Sequence, residues 1–184
     1  YSRHSLIFSP PIFKGRLFFT PPKRGDIIVF KLPRDGHTDY IKRLVGMPGD
    51  RIQMKNNVLW INDKPLPEVS IGRHIATDHG SPELVTWVKE TNPEGRSYTI
   101  QDHGPGYNVD DTDVYVVPAH CYFMMGDNRD NSNDSRLEVG YVPEQNLVGR
   151  AEVVFFSHDG SAQLWEVWKW PFAIRYGRFL TLIS

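Results

Sequence analysis

The sequence predicts a mostly β protein, with a compact coiled or barrel-like antiparallel core and a smaller β/loop lobe inserted into it. Three observations predict this class. Short apolar runs bounded by Gly, Pro, Asn or Asp recur along the chain. Helical periodicity is weak throughout. Fourteen prolines and fifteen glycines cut 184 residues into short pieces, which suits strands and turns better than long helices.

The elements follow in order. Asp26-Ile27-Ile28-Val29-Phe30-Lys31 lies between Gly25 and Pro33 and reads as a buried strand. Tyr40 to Val45 is a second strand, closed by Gly46-Met47-Pro48-Gly49. Arg51 to Met54 and Val58 to Ile61 flank Lys55-Asn56-Asn57, a hairpin pattern. Further strands are expected at Tyr98 to Ile100, Val114 to Val117, Tyr122 to Met125 and Val148 to Phe156. Residues 63–113 differ from their surroundings: they carry five prolines, ten of the 22 acidic side chains and few long apolar runs. They read either as an inserted accessory lobe or as a set of long surface loops. The expected division is therefore a core of residues 1–62 and 114–184 with 63–113 inserted.

Composition excludes several functions. The net charge is −1, so the basic field of a nucleic-acid binder is absent from the chain as a whole. The charge is nonetheless uneven: residues 1–60 hold 11 basic and 4 acidic side chains, residues 61–124 hold 4 and 10. A single cysteine, Cys121, rules out an internal disulfide framework; at the start of an apolar strand it is expected to be buried and inert. None of the seven histidines has metal spacing with another ligand, so no metal and no cofactor are expected. No stretch approaches 18 uninterrupted apolar residues. The chain opens at Tyr1-Ser2-Arg3-His4 rather than at Met and is read as a piece or processed product of a longer protein.

Two segments stand out chemically. Lys42 sits in an apolar strand, with Tyr40 and Leu44 on its own face and Ile41, Arg43 and Val45 on the other. Such a lysine either reaches water from a sheet edge or loses hydration, which favours the neutral amine and makes it a candidate base. On the strand alone, the first reading, a lysine that reaches water, is the expected one. The second segment, Gly126 to Arg136, is the densest polar run in the chain and directly follows Tyr122-Phe123-Met124-Met125. Its Asx and Ser side chains can bond back to the backbone, and Arg129 and Arg136 among three Asp can lock it. A calcium loop starting at Asp130 fails, because Ser135 takes the glycine position and Tyr141 the twelfth.

Tyr40-Ile41-Lys42-Arg43-Leu44-Val45-Gly46-Met47-Pro48-Gly49-Asp50, followed by Gly126 to Arg136, resembles the bacterial type I signal peptidases, and Gly25 to Phe30 matches a third block of that family in the right order. The resemblance runs from about Lys23 to the C-terminus and is weakest in the middle. It implies a signal-peptidase β core and a serine endopeptidase that removes N-terminal signal peptides from exported proteins through a Ser/Lys dyad. By position, it implies that Lys42 is the general base and Ser132 the hydroxyl that orients its amine. It likewise implies that Arg43 and Asp127 form a supporting ion pair, that Asp134 and Arg136 brace the site, and that Tyr40 and Ile41 line shallow substrate pockets. The substrate would add as a strand beside the lysine-bearing strand.

The family's nucleophile lies in a Ser-x-Ser-Met-x-Pro-Thr block, which this sequence lacks; Ser2, Ser5 and Ser9 have no Met-x-Pro after them. The block and a membrane anchor are expected upstream of Tyr1, and the 184-residue chain alone is expected to be inactive. The implied partners are signal peptides of exported preproteins and a membrane surface, with no nucleic acid. The implied location is the outer face of the bacterial cytoplasmic membrane. Trp165, Trp168 and Trp170 are either membrane-facing or core-filling. The alternatives are a non-catalytic relative that binds extended peptides, or another Ser/Lys self-cleaving protease.

Overall fold

A computed structural model describes residues 21–78, 81–151, 153–154 and 181–182. Two compact units are distinguished, residues 1–150 and 151–184. Within the second, only the antiparallel pairing of Val153–Val154 with Thr181–Leu182 is described. The tryptophans at 165, 168 and 170, the serines at 2, 5 and 9, and the end of the strand expected at Val148 to Phe156 lie outside the described residues.

The first unit is built from antiparallel sheets. Strands β1 (Ile27–Lys31), β2 (Asp39–Gly46), β10 (Cys121–Met125), β11 (Val142–Pro143) and β12 (Leu147–Arg150) form a five-stranded sheet in the order β11-β10-β2-β1-β12. Strands β3 (Arg51–Lys55), β4 (Val58–Ile61), β5 (Lys64–Pro65) and β9 (Tyr115–Val116) form a four-stranded one. The β3–β4 hairpin turns on Asn56 and Asn57, at φ +49° and +63°. Two consecutive left-handed residues make the tight turn whose twist matches that of the strands, and asparagine tolerates that region.

Alternation explains how these sheets stack. In β10, Tyr122 and Met124 join Ile28, Phe30, Leu44 and Leu147 in one apolar cluster. Phe123 and Met125 point the other way, into a cluster with Val45, Ile52, Met54, Leu59 and Ile61. Strand β10 is thus covered on both faces, which is why it reads as an unbroken apolar run. Cys121, at the edge of this strand, is half-buried rather than fully enclosed.

The third sheet is the part that sequence pattern missed. Strands β6 (Glu68–Asp78) and β7 (Ser81–Thr91) form a long hairpin, extended by β8 (Ser97–Asp102). Only the β8 strand is legible from apolar content. Much of β6 and β7 is solvent-exposed, including Val69, Ile71, Ile75 and Leu84, so partner strands rather than burial define them. At its base, Val88, Tyr98 and Ile100 form a third buried cluster.

Candidate functional site

The β1–β2 hairpin and the loop after β10 build the site. Strand β2 pairs along its whole first half with β1, from Lys31↔Asp39 to Ile27↔Arg43. On its other side β10 pairs only with Arg43 to Gly46. Among the described residues, no strand pairs with Asp39–Lys42 on that side. Lys42 is therefore the last residue before the strand gains a second neighbour, at a notch in the sheet.

Residues 126–136 leave the end of β10, arch over this notch and return. The return is fixed by Ser135: its N–H donates to the Met124 carbonyl (2.9 Å), and its Oγ accepts from the Met124 N–H (2.8 Å). The arch brings Ser132 Oγ to 2.7 Å from Lys42 Nζ, across 90 residues of sequence. The Tyr40 ring centroid lies 5.8 Å from the same nitrogen. Ile41 points away and is 59% exposed. Lys42 is half-buried, and its pKa is lowered from 10.5. Burial is the main cause, with Arg136 adding to it, while the carboxylates of Asp134 and Asp127 oppose it. The amine thus loses its proton more readily than a lysine in water.

The supporting charges are held tightly. Arg43 is buried and grips Asp127 with two bonds, Nε to Oδ1 at 2.7 Å and Nη2 to Oδ2 at 2.8 Å. It also donates to the Gly25 carbonyl and lies over the Tyr98 ring, 4.1 Å from its centroid. Asp134 is fully buried. Its carboxylate accepts from the Gly126 N–H, from the Arg136 N–H and from the Arg136 guanidinium through Nε (3.0 Å) and Nη2 (2.8 Å). Gly126 is needed here for space. A Cβ on it would come within 2.5 Å of Ser132 Cβ and closer still to Oγ, and 3.5 Å from Lys42 Nζ.

The structure thus brings Tyr40, Lys42, Arg43, Asp127, Ser132, Asp134 and Arg136 into one neighbourhood, with Ile41 on the opposite face of the strand. It corrects one expectation. Arg136 locks the loop from within, but Arg129 does not: it reaches Glu90 on β7, through Nη1 to Oε2 at 2.5 Å and Nη2 to Oε1 at 2.7 Å. Sequence reading missed Glu90 altogether and saw Tyr98 only as part of a strand, with no link to the site. The signal available was slight: Glu90 continues the inward-facing alternation of Val88 at a position where a charge is out of place. Among the described residues, no group of three His, Cys, Asp or Glu is placed to hold a metal ion.

A half-buried amine on a sheet strand, in contact with a hydroxyl on a charge-locked loop, is an arrangement whose chemistry is proton transfer at the amine nitrogen. The chain matches the family described as signal peptidase, peptidase S26, over residues 4–156, and belongs to that family. It is 44% identical over 167 residues to the signal peptidase I of Rickettsia massiliae (strain Mtu5) and 45% identical over 165 residues to that of Rickettsia canadensis (strain McKiel). Each alignment covers 85% of this chain and 61% of the relative, so the chain spans 61% of the length of these curated relatives. A crystal structure of a signal peptidase I from Enterococcus faecalis V583 is 26% identical, with a TM-score of 0.43, covering 72% of this chain and 97% of that one.

Proposed function

We propose that this chain is the base-bearing part of a serine endopeptidase that removes N-terminal signal peptides from exported proteins. The observation that carries the reading is the 2.7 Å contact between a half-buried Lys42 amine and Ser132 Oγ. A neutral amine has two N–H bonds and one lone pair. Donation of one N–H to Ser132 fixes the rotation about the Cε–Nζ bond, and with it the direction of the lone pair. The nucleophilic serine belongs to a Ser-x-Ser-Met-x-Pro-Thr block N-terminal to the Gly25-Asp26 strand, a block that residues 1–24 do not contain.

The chemistry then runs in two halves. The serine oxygen attacks the scissile carbonyl while its proton passes to Lys42 Nζ. The resulting ammonium returns that proton to the departing amine, which becomes the N-terminus of the mature protein. Lys42, neutral again, takes a proton from the water that opens the ester and passes it to the departing serine oxygen, which frees the signal peptide and restores both groups. The substrate is held extended along the open side of Asp39–Lys42 by backbone hydrogen bonds, with Tyr40 and Ile41 limiting side-chain size nearby. Arg43–Asp127 and Asp134–Arg136 brace the two halves of the site. We take residues 63–113 as an accessory lobe, and the outer face of the bacterial cytoplasmic membrane as the place of action.

The test is cleavage of a preprotein by the full-length protein, with and without Lys42→Met. Loss of turnover in the variant, with the fold retained, supports the reading. Undiminished turnover overturns it. The 184-residue chain alone is expected not to cleave; turnover abolished by changing Ser5 or Ser9 would place the nucleophile within it instead.

A further inference from the structure

The loop that carries Ser132 is not held only by its own charges. Its first half hangs on the third sheet. The Gln101 N–H of β8 donates to the Asp127 carbonyl (2.7 Å), and the Arg129 N–H donates back to the Gln101 carbonyl (3.0 Å). The His103 N–H donates to Asp130 Oδ2 (2.8 Å). Beneath these bonds Arg129, buried, is gripped by the fully buried Glu90.

Glu90 uses both oxygens. Oε1 accepts from Arg129 Nη2 and from the Tyr98 hydroxyl at 2.6 Å, and Oε2 accepts from Arg129 Nη1. Each partner leads to one side of the candidate dyad. Arg129, whose carbonyl accepts from Arg136, leads to the loop and Ser132, three residues on. Tyr98 lies under the guanidinium of Arg43, the residue next to Lys42 on β2. One carboxylate therefore sits where the amine-bearing strand and the hydroxyl-bearing loop are tied to the same sheet.

A fully buried ion pair is a poor means of stabilising a fold, because desolvation offsets most of the attraction, and apolar pairs of equal volume often serve as well or better. What it does supply is a fixed angle and distance between two planar groups. We infer that Glu90 is a positioning residue for the Lys42–Ser132 pair, acting through Arg129 on the loop and through Tyr98 and Arg43 on the strand. The inference rests on the peptidase reading for its consequence in turnover, but not for its geometry.

The experiment compares the full-length wild type with Glu90→Gln, Arg129→Lys and the double variant Glu90→Leu with Arg129→Met. Thermal melting reports which of them are folded; the double variant, with no unpaired buried charge, is the one expected to stay folded. In it, kcat for preprotein cleavage is expected to fall by about tenfold to hundredfold, the scale of an ångström-sized misplacement, with KM little changed. The limb of the pH profile that reports loss of the Lys42 proton should move to higher pH as water reaches the amine. The charged groups acting on that amine, Asp127, Asp134 and Arg136, are unaltered in all three variants. Independently of cleavage, the Lys42 titration midpoint read by NMR of ¹³Cε-labelled lysine should rise in the same variants. A folded double variant with wild-type kcat, pH profile and Lys42 midpoint overturns the inference. A wild type that fails to cleave counts against the peptidase reading alone, and the NMR midpoint then decides the inference: a rise supports it and an unmoved midpoint overturns it.

Discussion

Gly126 and Ser132 approach each other so closely that no side chain fits between them: a Cβ on Gly126 would fall 2.5 Å from Ser132 Cβ. Gly126→Ala should therefore push Ser132 away from Lys42 without opening the core. Melting temperature is expected to drop by only a few degrees, on the order of 1 kcal/mol, while kcat falls about a hundredfold. A crystal structure of the variant, or its turnover, checks this; full activity in the alanine form would show that the contact is dispensable.

Lys42 makes a stability prediction with a definite sign. Its folded-state pKa lies below the 10.5 of the unfolded chain, chiefly through burial. The folded form binds that proton less tightly, so stability from this group rises with pH between the two values and is lowest once both states are protonated. Lys42→Met should raise the melting temperature at pH 6, and the gain should shrink as pH approaches 10.5. A gain that is equal at both ends would contradict the lowered pKa.

Glu68 behaves in the opposite sense. Burial, with Glu90 adding to it, pushes its carboxyl up to about 7 from 4.5, against the pull of Arg129. Stability from this group is present below 4.5 and lost as pH rises through 7. Glu68→Gln is expected to melt higher than wild type at pH 8 and no higher at pH 4.5. Scanning calorimetry at the two values decides it.

Arg136→Met leaves the fully buried Asp134 carboxylate with only backbone donors. Removing one member of a buried pair costs about 3–5 kcal/mol, so the urea midpoint should fall sharply. Asp134→Asn with Arg136→Met should recover part of it. Lack of any shift in the single variant would mean that the pair carries no such constraint.

The parts that sequence made legible share a physical property: their residue types answer to local rules. The β3–β4 hairpin was marked by two asparagines that accept left-handed backbone. Strand β10 was marked by an unbroken apolar run, which follows from cover on both faces, and β1 and β2 by short apolar runs between turn residues. Lys42 and the Gly126–Arg136 run were singled out because a charge inside an apolar strand and an eleven-residue polar stretch are both unusual. The long β6–β7 hairpin was not legible. Its exposed positions, such as Arg73, Ile75 and Leu84, follow no burial pattern, and its strands are defined by each other. Glu90 was missed for a related reason. Its meaning depends on Arg129, 39 residues away, and nothing local announces a partner at that distance.

The contact between Lys42 and Ser132 spans 90 residues, and this separation has a bearing on the order of events during synthesis. While the chain is emerging, the lysine is made long before the loop that covers it, and until then water solvates the ammonium and keeps it protonated. Closing so long a segment costs loop entropy that local contacts do not. The amine consequently sheds its proton more readily only in a finished domain, and a half-made or misfolded copy carries a lysine with its ordinary affinity for the proton.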